Sequence, residues 1–458
     1  MGKCASVEQP PPIDVVAFGN DGAVGLTETF VQTYGSYMTA PFDLKRPVVT
    51  RDHEHLIQTN WSIVCNGSRA FNPATHLTPI RFFYKTFYQA LFTRAPALRS
   101  LFRSSMTHQG KTIAGIMGTL AKIITGDAFV DVVQGIAARH LKYGVCLDDY
   151  TLFGTTLLAT LEIVTGPDEW TPEVHDAYVT AYSLVLHVMM PILTSPDAPT
   201  RATTPESLPA TITHSTRLSP STHRLTLAFD FCLRFHPGDA IWLGLALPTG
   251  HTRRHYVITS VSVTGASAID ICVVDASDSS HWLCTQPPGT VVDLYWVDSD
   301  VRFEIDTPEV LPSHVLFVSH GLGCIPFLTM LQGLYTVRDV WKGTAVSLHC
   351  ALNDDFAPLK TIAPCASMTK QQWPASTVHD AAATVITADK LREIAPHADD
   401  AILYVSGPPA FVQATSDAFE AVGGAKGRVM EYSFTNDHPF LLGTAELSTV
   451  VITLPEDE

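Results

Sequence analysis

Basic residues are scarce in this chain. Lys and Arg number 29 against 45 Asp and Glu, and the formal net charge is −16. A phosphate-binding face needs a surplus of positive side chains, so nucleic acid is excluded as a main partner. Paired cysteines are also lacking. The nine cysteines stand singly at 4, 65, 146, 232, 272, 284, 324, 350 and 365, without CxxC or a histidine at zinc spacing. Such a set excludes a disulfide framework and fits free thiols in a reducing compartment, so a cytoplasmic location is expected. No apolar run reaches the roughly eighteen residues of a membrane span. The longest, Leu184 to Leu193, is interrupted by His187 and Pro191 and reads as a buried helix end. No secretory signal is expected either.

What the chain does have is core. Apolar residues make up 46 % and charged residues 16 % of its 458 residues, which excludes a disordered protein. That length suits about three domains. The first residues, Met1-Gly2-Lys3-Cys4-Ala5-Ser6, fit an N-myristoylation pattern, with Cys4 placed for palmitoylation. Two acyl chains would hold the protein on a membrane surface and one only weakly. A plain tail that begins Met-Gly is the competing reading. Residues 1–49, with Pro10-Pro11-Pro12, read as an irregular extension.

Three patterns follow one another. Over 50–195, six segments show 3.6-residue apolar spacing: His55–Val64, Pro79–Leu91, Thr112–Ile124, Asp131–Lys142, Tyr150–Val164 and Glu173–Met190. This predicts an all-α domain. A Pro/Ser/Thr linker covers 196–208. Over 209–307, six short β-branched or aromatic runs predict an antiparallel barrel or sandwich: Thr211–Thr216, Arg224–Phe229, Ala240–Leu247, His255–Val261, Ile269–Val274 and Val291–Trp296. Over 308–440, the runs Val315–His320, Ala345–Ala351, Ala383–Thr387 and Ala401–Val405 alternate with helical stretches, which predicts an α/β domain on a parallel sheet. An acidic tail, 441–458, closes the chain.

The most informative segment is Val132 to Val145. Val132, Ile136 and His140 recur at i, i+4 and i+8, so an apolar stripe ends in an imidazole, and Gly144 stops the helix. Alone, this is an ordinary amphipathic helix. Its setting adds Phe87-Tyr88 on an earlier helix, Leu98-Arg99-Ser100-Leu101-Phe102, Gln109 one turn before Ile113, and Tyr150 ten residues after His140. Farther on stand Arg253-Arg254-His255-Tyr256-Val257 on a barrel strand and Ser279-Ser280 in a turn. Gly321-Leu322-Gly323-Cys324-Ile325-Pro326 follows a strand, as does Ser406-Gly407-Pro408-Pro409-Ala410-Phe411. A strand, a Gly-rich turn and a helix beginning at proline offer backbone N–H groups to a pyrophosphate.

Taken together these motifs resemble the flavohemoglobins, over about residues 50–440. The resemblance implies an all-α globin, then an antiparallel β-barrel FAD domain, then an α/β parallel-sheet NAD(P) domain. It implies haem b, FAD and NAD(P)H as cofactors, O2 and NO as small-molecule substrates, and nitric oxide dioxygenase activity. By resemblance His140 is the proximal iron ligand, Phe102 and Ile113 pack on the haem, and Tyr88 and Gln109 donate hydrogen bonds on the distal side. Tyr150 supports His140. Arg254, Tyr256, Val257, Ser280 and Phe434 fall at flavin positions. Gly321, Gly323, Pro326, Ser406, Gly407 and Pro408 fall at nicotinamide-nucleotide positions. A monomer is expected.

Several positions depart from the family pattern. Val257 replaces a hydroxyl residue, Ile325 a threonine, Ser406 a cysteine and Asp239 a glutamine. The proximal carboxylate has no counterpart near Leu193. A second reading follows: a membrane-attached haem protein that binds or senses O2 or NO and keeps a weakened reductase half.

Overall fold

Caps set the helix boundaries. At Thr78-Pro79 and Thr171-Pro172, each threonine hydroxyl accepts from a backbone N–H three residues on, at Arg81 and Val174. The following proline fills a position whose N–H would have no intrahelical partner. Thr50 accepts likewise from His53, whose ring reaches back to the Thr50 N–H. The computed structural model describes residues 14–72, 78–124, 126, 128–196, 198–200, 205–298, 301–350, 359–381 and 386–432. The chain forms two compact units, divided at Leu101/Phe102, His108/Gln109 and Glu206/Ser207.

The first unit contains β1 (Val16–Phe18), β2 (Val24–Leu26), α1 (Glu28–Tyr34), β3 (Val48–Val49), α2 (Arg51–Asn66) and α3 (Pro79–Arg94). It continues through α4 (Met106–Ile124), whose first three residues belong to the second unit, then α5 (Phe129–Leu141), α6 (Leu147–Thr165) and α7 (Pro172–Leu193). All six expected helices are present. The expected irregular extension is corrected from Val16 onward, where β1, β2 and β3 form an antiparallel sheet. Strands of two or three residues are too short to display a period of two. This stretch is fastened to α7: Phe42 is fully buried, its ring lies 4.7 Å from Tyr182, and its carbonyl accepts from Ser183 at 2.7 Å. α7 is long and apolar enough to cross a membrane, yet most of it is buried inside this unit.

The barrel of the second unit contains β4 (Leu208–Ser219), β5 (Thr222–Leu233), β6 (Ala240–Leu247), β7 (Gly250–Val257), β8 (Ala266–Val274), α8 (Asp278–Thr285) and β9 (Val291–Asp298). Its strand order is β7-β6-β9-β4-β5-β8, antiparallel throughout. A bridge from Ile258 to Ile271 brings the end of β7 to β8 and closes the sheet. Alternate residues point inward: Leu225 and Leu227 on β5, and Ile241, Leu243 and Leu245 on β6, are buried.

The unit ends in β10 (His314–His320), α9 (Ile325–Thr336), β11 (Thr344–Cys350), β12 (Ser376–Ala381), α10 (Ala388–Ile394), β13 (Ile402–Ser406), α11 (Pro409–Ala421) and β14 (Val429–Glu431). The strand order is β12-β11-β10-β13-β14, and every pair is parallel. The winding reverses between β10 and β13, which opens a crevice at their carboxyl ends. The strand expected at Ala383–Thr387 lies largely outside the described residues, which omit 382–385; β12 is a further strand that the sequence reading does not single out. Thr377, His379 and Asp380 make β12 too polar to read as a buried strand. Barrel and α/β portion share one core, in which Val257 and Cys272 pack with Phe303, Phe317, Phe327 and Tyr404.

Candidate functional site

His140 sits on the last turn of α5. Its Nδ1 lies 2.8 Å from the Tyr150 hydroxyl, near the start of α6. Tyr182 in turn donates to the Tyr150 carbonyl at 2.7 Å. Burial, with Arg139 beside it, pushes the His140 imidazole below its ordinary pKa, so the ring is neutral near pH 7. A neutral ring whose Nδ1–H is held by an oxygen offers the lone pair of Nε2, which is what an iron ligand requires. No carboxylate contributes to that shift.

The apolar stripe of α5 is not used in the way its periodicity predicts. Phe129, Val133 and Ala137 form the buried face. The neighbouring stripe stays half out, with Val132 41 % exposed and Ile136 and His140 only partly covered. α4 is similar: Ile113 and Met117 are buried, whereas Ile116, three residues beyond Ile113, is 40 % exposed. A prosthetic group with a large apolar surface fits such faces, because they hold side chains that the protein core does not cover. Ile116 was missed in the sequence, where it looks like any core isoleucine. Tyr88 on α3 is 4 % exposed among Phe87 and Phe92, and burial pushes its hydroxyl pKa up. It stays a neutral O–H donor. Gln109 begins the first unit's share of α4. Phe102 is assigned to the second unit.

Tyr150→Phe should retain haem, because Nε2 is untouched. Losing the partner that fixes the tautomer should raise the rate of haem transfer to apomyoglobin by about tenfold. An unchanged transfer rate would show that Tyr150 has no such role.

On the barrel, Arg254 and Tyr256 stand two apart on β7 and so share a face. Tyr256 is 9 % exposed; burial raises its pKa, and the Ser279 hydroxyl at the start of α8 bonds it. Tyr256 thereby meets the α8 N-terminus, whose positive end favours a phosphate. The Ser280 hydroxyl is engaged in the Ser277 capping box, where it accepts from the Ser277 N–H at 2.9 Å. Val257 points into the shared core. Asp239 is fully buried. Burial alone would raise its pKa, but the neighbouring His236, whose backbone N–H it accepts, and the Arg302 charge hold it down.

At the crevice of the parallel sheet, Gly321 has φ +55°. A Cβ at Gly323 would lie 2.8 Å from the Ser406 hydroxyl and 3.0 Å from its carbonyl oxygen. A Cβ at Gly407 would lie 2.8 Å from Phe411 and 2.9 Å from the Cβ of His320. The two turns thus pack backbone to backbone, as close approach to a dinucleotide demands. Pro326 lies in the first turn of α9 and Pro408 is the N-cap of α11, and no side chain caps either helix. Ser406 donates to the Tyr432 carbonyl at 2.8 Å, and the Tyr432 hydroxyl donates to Gly238 at 3.0 Å. Tyr432 was not singled out in the sequence, because nothing local distinguishes it. Phe434, Gly2 and Cys4 lie outside the described residues.

Comparison with known proteins gives the following similarities. Residues 85–189 match the globin family. A flavohemoprotein of Pseudomonas putida is 23 % identical over 366 residues, covering 74 % of this chain and 88 % of the relative. One from Rhodopirellula baltica is 28 % identical over 110 residues, 23 % of this chain and 27 % of the relative. A Malassezia yamatoensis flavohemoglobin, solved with bound FAD and heme, covers 84 % of this chain and 100 % of its own, with 15 % identity and a TM-score of 0.43. The chain is thus similar to the globin family over residues 85–189 and to flavohemoproteins over most of its length.

Proposed function

We propose that this protein is an NAD(P)H-dependent nitric oxide dioxygenase. The observation that carries the reading is His140, neutral and held through Nδ1 by Tyr150, at the end of an apolar stripe left half exposed. Together, NAD(P)H, FAD and haem b would supply reducing equivalents to an iron centre at which O2 and NO yield nitrate. The chain's own work is to hold and orient. His140 would hold the iron through Nε2, while Tyr150 keeps the proton on Nδ1. Tyr88 and Gln109 would donate hydrogen bonds on the opposite side, and Ile113 and Ile116 would exclude water. Arg254, Tyr256 and the α8 N-terminus would hold FAD. Gly321, Gly323, Gly407, Pro326 and Pro408 would shape the nicotinamide-nucleotide crevice.

The test is NO consumption by the purified protein supplied with NADH or NADPH and O2. The expected result is nitrate formed in equal amount to NO consumed. NO loss without nitrate, or the same rate without NAD(P)H, would refute the reading. A second reading, a haem-based O2 or NO sensor with a weakened reductase half, draws support from two observations. Val257 is committed to core packing, and the Ser406 hydroxyl is committed to Tyr432. That reading predicts tight O2 or NO binding with little turnover.

A further inference from the structure

The segment Phe102–His108 leaves the helical unit and joins the second unit. Backbone hydrogen bonds seat it: Ser105 N–H donates to the Arg234 carbonyl at 2.9 Å, and Val297 N–H to the Arg103 carbonyl at 2.8 Å. At its end His108 is 7 % exposed and faces His236 and Asp306. None of the proposed haem, flavin or nucleotide positions includes these three residues.

We propose that His108, His236 and Asp306 form a site for a divalent transition-metal ion, of the zinc type, that fastens Phe102–His108 to the barrel. One ligand atom from each residue lies within 4.8 Å of the others. His236 Nε2 is 3.1 Å from one Asp306 oxygen, and His108 Nδ1 is 3.8 Å from the other. Two imidazoles and one carboxylate are a donor set that zinc accepts, with a fourth position left to water. Asp306, at 22 % exposure, gives the ion an entry side.

The outer groups are also in place. Metal-bound imidazoles are oriented by an acceptor on the nitrogen that does not bind. His108 Nε2 lies 3.3 Å from the Phe235 carbonyl. His236 Nδ1 lies 3.7 Å from an Asp239 oxygen. That Nδ1 is buried and makes no hydrogen bond, although His236 itself is only 1 % exposed. Asp239 is fixed in turn, accepting from the His236 N–H at 2.7 Å with Arg302 3.6 Å away. The two rings are stacked, with centroids 3.8 Å apart and planes at 7°. An ion cannot lie in two parallel ring planes at once, so chelation requires the rings to fan apart. The second torsion of histidine is broad and permits this without backbone movement.

The test uses the full-length holoprotein, stripped with a chelator, dialysed against Zn2+ and analysed for zinc and iron separately. Wild type should retain one zinc per chain, and Asp306→Asn and His108→Gln should each lose it with haem content unchanged. Hydrogen exchange supplies the second readout. Zn2+ should slow exchange of amides in 102–108 and 235–239 in wild type and leave both variants unaffected. Equal zinc retention in wild type and both variants, or no zinc-dependent protection in wild type, would overturn the proposal.

Discussion

His140→Ala protein, purified with haem supplied in excess, should show no Soret band, a loss of at least about tenfold against wild type. The reason is chemical rather than structural. His140 is only partly buried, and its ring is hydrogen-bonded to Tyr150. Alanine is a strong helix former, so the last turn of α5 keeps its backbone. The buried face of α5, Phe129, Val133 and Ala137, is untouched. Far-UV circular dichroism should therefore match wild type while haem is lost. A normal Soret band in this variant would remove His140 from the ligand position.

The second large effect is expected at the sheet crevice. In Gly323→Val a Cβ would meet the Ser406 hydroxyl at 2.8 Å and the Ser406 carbonyl at 3.0 Å, with two methyl groups beyond it. The carbonyl is backbone on β13, so it cannot swing aside as a flexible side chain would. Overpacking of this kind costs about 1–3 kcal/mol and displaces one turn from the other. NAD(P)H-supported reduction of the iron should fall at least about a hundredfold, in line with the cost of small misplacements at reacting groups. Haem binding and reduction by dithionite should remain normal. Full NAD(P)H activity in Gly323→Val would mean that the turn does not form the nucleotide site.

The three-part architecture was legible because long helices, alternating barrel strands and strand–helix alternation leave different periods in the residues. What was not legible depends on partners distant in the chain. On α5 two adjacent stripes are apolar, 129/133/137 and 132/136/140, and periodicity cannot say which one the protein covers. Nothing local in 98–102 shows that Ser105 and Arg103 pair with Arg234 and Val297, more than a hundred residues away, so that Phe102–His108 belongs to the second unit. β12 is hidden by its polar residues, and β1 to β3 by their brevity. At the site, His140 and Tyr150 were readable because they sit ten residues apart on consecutive helices. Ser280 falls at a flavin position by resemblance, and its part in the Ser277 capping box depends on the local backbone geometry. The cluster of His108, His236 and Asp306 has no local signature at all.

The central claim is that reducing equivalents taken up at the sheet crevice reach an iron held by His140. It is tested most directly by adding NADH or NADPH to the wild-type holoprotein under anaerobic conditions and recording haem and flavin absorbance. The account predicts bleaching of the flavin bands and a shift of the Soret band to the ferrous position, both completed without any other reductant. A flavin-loaded protein whose iron stays ferric for many minutes would contradict it.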